Sequence, residues 1–413
     1  MQEFIHNTGE TMKGLIVQKY GGTSVGSIER IKNVASRVIK TKESGKDVIV
    51  VVSAMGDTTD DLLEMAYTIS TKPKKREMDM LLSTGEQVSI ALLAIAIQEM
   101  GHDVISLTGA QCGILTSNKH RKARIDKINT TRILSEINLG KIVIVAGFQG
   151  INEEKDITTL GRGGSDTSAV ALAAALKAEK CQIFTDVDGV YTADPRIVPD
   201  AKLIPVISYD EVLELASLGA QVLHPRAVEC AGKFNVHLEV KSSFNDNDGT
   251  IIEEGTNMEK VLIRGISLDE NIAKISVLEV PDKPGIAFKL FSSLASADIH
   301  VDMIVQNVTR IAVNDITFTV AMDELQNAVD IAQKFAFEVD AQKVEYDKGV
   351  AKLSVVGTGV VANAEVASKF FEALYEMEIN IQMISTSEIK ISCIIDKEKG
   401  KEAMKYMHKK FDM

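Results

Sequence analysis

The stretch Gly14–Lys40, GLIVQKYGGTSVGSIERIKNVASRVIK, decides how the chain is read. Gly14–Gln18 is an apolar run of the kind buried in a sheet. From Ser27 onward the apolar residues Ile28, Ile31, Val34, Ala35, Val38 and Ile39 fall on one helical face. Glu29 stands in the first turn, where the helix dipole favours an acid. Between strand and helix lies KYGGTSVG, Lys19–Gly26. A glycine-rich turn in that position is where many α/β proteins hold phosphate. The spacing is not that of the P-loop, whose glycine and lysine close the turn, because here the lysine comes first. Gly21 and Gly22 lack a Cβ, so backbone N–H groups can approach an anion. Lys19, at the carboxyl end of the strand, can reach the same space as a point charge suited to phosphoryl transfer. Taken alone, the stretch reads equally well as an ordinary turn with an exposed lysine.

The alternation of strand and helix continues to about Lys241. Further strands are expected at Val48–Ser53, Val104–Leu107, Ile142–Ala146, Gln182–Thr185 and Val236–Val240. They are short, rich in Val and Ile, and apolar on both faces, as strands of a parallel sheet are. Helices are expected at Glu77–Met100, interrupted around Gly85, and at Asp166–Lys180. The fold class is therefore α/β, a three-layer α/β/α domain with a mainly parallel sheet. The polar stretch Glu253–Lys260 reads as a linker. Beyond it two segments repeat, Lys274–Gln306 and Lys352–Ser387, each reading as strand, loop, helix, strand. Aligning Ile299 with Ile379 also aligns Met303 with Met383. Phe288, Phe291 and Leu294 mark one helix face, and Val366, Phe370 and Leu374 the other. Each repeat adds a strand (Asp315–Val320; Lys390–Ile395) and a helix (Glu324–Phe335; Lys399–Phe411), the ferredoxin-like βαββαβ plan. The expected domains are residues 12–255, 265–345 and 346–413.

Composition narrows the function classes. The chain of 413 residues is 45% hydrophobic and 25% charged, with a formal net charge of −12. That charge argues against a nucleic-acid partner. The one dense basic run, Asn118–Arg124, lacks interleaved aromatics and reads as a solvated or phosphate-facing loop. The four cysteines, Cys112, Cys181, Cys230 and Cys393, have no metal spacing and read as free thiols. The seven histidines show no ligand spacing either, so no protein metal site is expected. The N-terminus lacks the pattern of a secretory signal, and no uninterrupted apolar run reaches membrane-spanning length. A cytoplasmic location with no membrane partner is the resulting expectation.

Four more stretches carry chemistry. Thr158–Ser168, TTLGRGGSDTS, joins a second glycine-rich loop to a helix start, with Arg162, Ser165 and Asp166 as its polar groups. Backbone donors with arginine suit a carboxylate or phosphate. For Asp166 alone an N-cap, worth about 1 kcal/mol, is the simpler reading. Thr185–Arg196, TDVDGVYTADPR, carries Asp186, Asp188, Tyr191, Asp194 and Arg196. It suggests a nucleotide or Mg²⁺ neighbourhood, or an Asp-rich turn stopped by Pro195. Ser53–Leu63, SAMGDTTDDLL, places Thr58 and Thr59 near a helix start. In Ser83–Ser89, STGEQVS, Glu86 lies amid apolar helix and needs a partner, either a ligand ammonium or a structural arginine. Two anion sites and one lysine are the layout of a kinase acting on a small acid.

Taken together, KYGGTSVG, VVSAMGDTTD, GRGGSDTSA, TDVDGVYTADPR and GAQVLHPRAVE, in that order, resemble the aspartokinase family within the amino-acid kinase fold. The repeats, with VPDKPG and INIQMISTSE, resemble ACT domains. The resemblance spans the chain from Met12 and points to the monofunctional form. It implies phosphorylation of the β-carboxylate of L-aspartate by ATP, with Mg²⁺. By that resemblance Lys19 and Asp166 are catalytic. Lys19, Gly21, Gly22, Ser53, Thr185, Asp186, Tyr191 and Arg196 hold the nucleotide. Thr59, Glu86, Arg162 and Ser165 hold aspartate, Glu86 through the ammonium and Arg162 through a carboxylate. One departure is Gln221, where the family pattern has lysine.

The resemblance also implies feedback inhibition by L-lysine, with or without L-threonine, at positions in the two repeats. These are Asp282, His300, Asp302 and Gln306 in the first, and Val366, Ala367, Asn380, Ile381 and Ser387 in the second. It implies a homo-oligomer, dimer or tetramer, joined through the ACT domains. Two alternatives remain at the level of sequence. One is a kinase of acetylglutamate or glutamate on the same fold. The other is an amino-acid sensor without catalysis, for which Gln221 is the only hint.

Overall fold

The computed structural model describes residues 12–217, 223–255, 262–310, 313–358, 360 and 363–413. Among these, one compact unit takes residues 12–190, 203–217 and 223–255. A second takes Tyr191–Lys202 and the described residues from 262 onward.

The first unit follows the chain as β1 (Met12–Tyr20), α1 (Ile28–Glu43), β2 (Asp47–Val52), α2 (Thr58–Ile69), α3 (Lys75–Glu99), β3 (Val104–Leu107), β4 (Ile114–Thr116) and β5 (Ile125–Ile128). It continues as α4 (Thr131–Asn138), β6 (Ile142–Ala146), β7 (Gln149–Ile151), β8 (Ile157–Thr159), α5 (Gly164–Leu176) and β9 (Ala178–Thr185). It ends with β10 (Val206–Ser208), α6 (Tyr209–Ser217), α7 (Pro225–Phe234), β11 (Leu238–Ser242) and β12 (Thr250–Glu253). Eight strands form the main sheet in the order β10-β12-β11-β9-β1-β2-β6-β3. All its pairings are parallel except β11 with β12. Val34, Val38, Leu93 and Ile97 of α1 and α3 pack with Val48, Val50, Ile142 and Ile144 on one face. Helix α5 covers the other face across β1, β9 and β2. The expected three layers are thus present. Strand β1 lies between β2 and β9, so successive crossovers leave it in opposite directions and open a crevice at its carboxyl end.

Three local features differ from the sequence reading. The central strands are not wholly apolar. Gln18, Gln182 and Glu239 stand side by side in register on β1, β9 and β11. Gln18 Nε2 donates to Gln182 Oε1 at 2.9 Å, and Gln182 Nε2 to Glu239 Oε2 at 2.7 Å. Helix α3 runs through Gly85 without interruption. A Cβ there would lie 2.8 Å from that of Ala54, so glycine serves the close approach of helix to loop. Helix α5 stops at Leu176, where Lys177 turns left-handed at φ 49°, and residues 178–180 join β9 instead. Although α3 is long and apolar enough to cross a membrane, half of its most apolar window is buried, as in a core helix.

The second unit holds two modules. The first is β14 (Ile272–Pro281), α8 (Ile286–Ser296), β15 (Val301–Arg310), β16 (Val313–Ala321), α9 (Leu325–Val339) and β17 (Lys343–Asp347), with sheet order β15-β16-β14-β17. This is the expected βαββαβ. The second is β18 (Val350–Thr358), α10 (Ala364–Glu376), β19 (Met383–Ser387), β20 (Lys390–Asp396) and α11 (Lys397–Lys410). Its fourth strand comes from elsewhere. Strand β13 (Leu262–Asp269) pairs antiparallel with β18, giving the order β13-β18-β20-β19. The first module is therefore inserted between two paired strands of the second. Val366, Phe370 and Leu374 are buried as expected, but Phe288 is 75% exposed, and Leu290 and Leu294 carry the first helix's packing. Tyr191–Lys202 belongs to this unit as well. Ala193 and Val198 are in the second module's core, and Thr192 Oγ1 lies 2.9 Å from His408 Nε2.

Candidate active site

The carboxyl end of β1 delivers Lys19 to a cavity of about 270 Å³. Its Nζ lies 2.6 Å from Asp166 Oδ1. Both side chains are nearly buried, so the pair attracts more strongly than it would in water. Asp166 stands in the first turn of α5, whose N-cap position is Gly163 with no side-chain cap. The capping reading of Asp166 is therefore set aside: its carboxylate faces Lys19.

The glycines fit the cavity wall for different reasons. The N–H of Gly21 donates to Phe184 O at 3.3 Å, so it is engaged within the sheet edge instead of pointing at a ligand. A Cβ on Gly22 would meet Ala54 O at 2.8 Å, so only glycine lets this turn lie against the loop after β2. Gly163, at φ 69°, has no room for a Cβ because the His224 ring stands 2.1 Å from where it would be. His224 is itself the N-cap of α7, its Nδ1 accepting from Arg226 N.

Helix α3 supplies Glu86 from the opposite wall. Its Oε1 accepts from Ala54 N at 3.3 Å, while Oε2 is buried with no partner among the described residues. Burial pushes its carboxyl up to about 8, and backbone N–H donors, that of Ala54 among them, offset only part of the cost of charge. An unsatisfied buried carboxylate is a strong receptor for a cation. Ser53, Thr59, Arg162 and Ser165 complete the polar lining. Lys19, Gly22, Ser53, Thr59, Glu86, Arg162, Ser165 and Asp166 thus converge from four separate stretches of sequence.

The other nucleotide candidates do not line this cavity. Thr185 ends β9, next to β1, and Asp186 follows it, with Thr185 Oγ1 donating to Asp186 Oδ1 at 3.1 Å. Tyr191 and Arg196 fall in the segment belonging to the second unit. The aspartates of this stretch do not gather around an ion. Asp188 accepts from Asn245 Nδ2 at 2.7 Å, and Asp194 pairs with Arg196 at 2.8 Å. No cluster of three or more His, Cys, Asp or Glu suited to a metal occurs among the described residues. Gln221 lies outside the described residues. Gly161 and Gly164 of the second glycine-rich loop also line the cavity, as does Phe148, which was not singled out from sequence. Phe148 holds a left-handed φ of 66°, which no sequence pattern announces.

The regulatory candidates divide similarly. Asp282 and Gln306 share a cavity of about 100 Å³ in the first module, joined by Asn314, whose Nδ2 donates to Asp282 Oδ1 at 3.0 Å and whose Oδ1 is buried with no partner among the described residues. His300 and Asp302 lie outside it: His300 N donates to Glu324 Oε2, and Asp302 pairs with the buried Lys352. In the second module Val366 is core, Ala367 and Ile381 pack on that core, and Asn380 is exposed. Ser387 Oγ is buried with no partner among the described residues.

Comparison with known proteins agrees with the fold. Residues 14–242 match the amino acid kinase family, and residues 276–334 and 353–411 match the ACT domain. An aspartokinase of Bacillus sp. (strain MGA3) is 51% identical over 401 residues, 97% of this chain and 98% of that protein. E. coli aspartokinase III in complex with aspartate and ADP superposes with a TM-score of 0.81 at 24% identity, covering 97% of this chain and 100% of that one. The same enzyme in complex with lysine and aspartate gives a TM-score of 0.73 at 25% identity, covering 96% and 99%.

Proposed function

The chain belongs to the aspartokinase family, and from that premise we propose that it transfers the γ-phosphoryl group of ATP to the β-carboxylate of L-aspartate, giving 4-phospho-L-aspartate and ADP. The observation that carries this reading is the convergence of Lys19, Asp166, Glu86 and Arg162 on one small cavity. Aspartate presents an ammonium and two carboxylates, and the cavity offers an unpaired carboxylate and two cations. Glu86 takes the ammonium, Arg162 takes a carboxylate, and Thr59 and Ser165 add hydrogen bonds. The attacking carboxylate is already ionised near neutrality, so no general base is needed. Its oxygen bonds to the γ-phosphorus as the bond to the β,γ-bridging oxygen breaks, and that electron pair leaves with ADP. Lys19 stabilises the charge on the transferring group, and Asp166 fixes the position of its ammonium. Thr185, Asp186, Tyr191 and Arg196 serve the nucleotide. Mg²⁺ would come with ATP and would supply charge neutralisation at its phosphates.

The first unit serves as the kinase domain, and the two modules of the second unit serve as the ACT domains, with boundaries shifted from 265 and 345 because β13 completes the second module and β17 runs to Asp347 in the first. An amino acid, L-lysine alone or with L-threonine, binds the ACT domains and inhibits through its differential affinity for an inactive arrangement. The cavity with Asp282, Gln306 and Asn314 suits an ammonium and amide-bonding groups. The edge strands β15 and β19 expose Ile304 and Ile384 at matching positions of the two repeats, which supports assembly into a homo-oligomer through these modules. The reaction is the first step of lysine, threonine and methionine biosynthesis, in the cytoplasm. A hydroxylamine trap for acyl phosphate, run with L-aspartate, L-glutamate and acetylglutamate, tests the substrate. Hydroxamate from aspartate alone is expected. Turnover with acetylglutamate and none with aspartate would sink the reading, and no ADP release with any acid would leave a sensor. Adding lysine and threonine, singly and together, identifies the effector.

A further inference from the structure

Asp79 has no place in the cavity, yet it is the most completely satisfied buried carboxylate near it. It sits on α3 on the same face as Ser83 and Glu86, at the i, i+4 and i+7 positions of one stripe. Its side chain is fully buried. Oδ1 accepts from Thr159 Oγ1 at 2.6 Å, both oxygens accept from the backbone N–H of Arg121 at 3.1 Å, and Oδ2 lies 2.7 Å from His120 Nδ1. A buried carboxylate with this many donors is held in one position, and so are the donors.

Those donors define the loop that carries Arg162. Thr159 ends β8, and the chain then runs through Leu160 and Gly161 to Arg162. Ala123 N donates to Thr159 O at 3.0 Å, tying the basic segment to the same strand end. Gly161 lies so close to that segment that a Cβ would meet Arg121 O at 2.9 Å. Arg121 adopts a left-handed φ of 72°, unfavourable for a long side chain, with its N–H taken up by Asp79. The Arg226 guanidinium bridges Leu160 O at 2.6 Å and Ala123 O at 3.1 Å, closing the clamp from the other side. The basic run Asn118–Arg124 is thereby used, in part, as scaffold for the second glycine-rich loop.

We propose that Asp79 is a positioning residue for the reaction, acting through Thr159 and Arg121 to hold the Gly161–Gly164 loop so that Arg162 meets the acid substrate. The proposal rests on the assignment of aspartate as substrate. Misplacing a substrate-holding group by about 1 Å can cost about 10²-fold, and smaller displacements correspondingly less. Asp79→Asn keeps the shape but replaces one acceptor with an N–H₂ that faces donors. Thr159→Val removes only the hydroxyl donor.

The test is steady-state kinetics of the full chain with both substrates varied, for D79N, T159V and the double variant, with melting curves to verify folding. In folded D79N the KM for aspartate should rise about tenfold or more, with the KM for ATP within about twofold. T159V should shift the same constant in the same direction, and the double variant should be no worse than D79N. Equal shifts in both KM values, no shift in folded protein, or fully additive single effects would each overturn the proposal. Amide hydrogen exchange at Gly161–Gly164 gives a readout that needs no turnover: it should speed up in D79N and T159V. If the wild type fails to phosphorylate aspartate, the substrate assignment falls, while exchange still decides the clamp. Unchanged exchange in both variants refutes it.

Discussion

At the residue scale, the Lys19–Asp166 pair and the lone Glu86 carry the chemistry assigned to the cavity. Lys19→Ala removes one preorganised charge from a nearly buried site, so kcat should fall about 10²–10³-fold, and the Asp166 carboxylate left without its partner should lower the melting temperature while the chain still folds. Near-normal turnover in that variant would remove Lys19 from the mechanism. Glu86 makes a pH prediction. Its carboxyl titrates near 8 because burial penalises the charged form. Below that pH the free protein holds the proton, and an incoming ammonium must displace it. The KM for aspartate should therefore decline as pH rises from about 6.5 to 8 and level off above, with a proton released on binding near pH 7. Glu86→Gln should raise this KM and flatten its pH trend; a trend that survives the substitution would point to another group. These residues were legible because each breaks a local pattern: a lysine before glycines, an acid in an apolar helix, an arginine among glycines. Asp79 was not, since an acid between Met78 and Met80 near the start of a helix breaks no pattern, and only the fold brings Thr159 and Arg121 to it.

At the element scale, the positions of strands and helices followed from periodicity, while their ends followed from contacts that lie far off in sequence. Helix α3 is the clearest case. A glycine within a helix costs about 1 kcal/mol relative to alanine, and on that ground Gly85 reads as a break. In the fold it is the place where α3 touches the loop after β2, with a Cβ position 2.8 Å from Ala54. Gly85→Ala gains that 1 kcal/mol of propensity and loses about 1–3 kcal/mol to overpacking, so the balance is destabilising. Thermal unfolding should show a lower melting temperature, and aspartate affinity should weaken because Glu86 lies one residue on. A higher melting temperature would mean the contact yields freely. The ladder Gln18–Gln182–Glu239 was likewise hidden, because one polar residue inside an apolar strand carries no period. It fixes the sheet's register, since a slip of one residue would set these groups against apolar neighbours.

At the scale of the whole molecule, the alternating first half and the repeated second half were both legible. What the repeat could not reveal is which strand completes the second module, because β13 precedes the first copy and resembles neither. Nor does any pattern mark Tyr191–Lys202 as part of the second unit, since DPR and Pro199 read as plain turn residues. A chain ended near residue 255 would keep this segment but lose the core that receives Ala193 and Val198. Such a fragment should be less soluble and melt lower than the full chain, with the loss relieved by replacing Val198 and Ile197 with polar residues. A fragment as stable as the full chain, by calorimetry, would contradict that account. The placement of β13 has a further consequence, in the order of synthesis. Asp269 leaves the ribosome well before Val350, and at about 5–20 residues per second the strand waits for several seconds without its neighbour. In that interval the first module can close completely, while an unpaired edge stays open to other nascent chains on the same message. The sequence of emergence thus makes the inserted module the first to mature and the enclosing one the last.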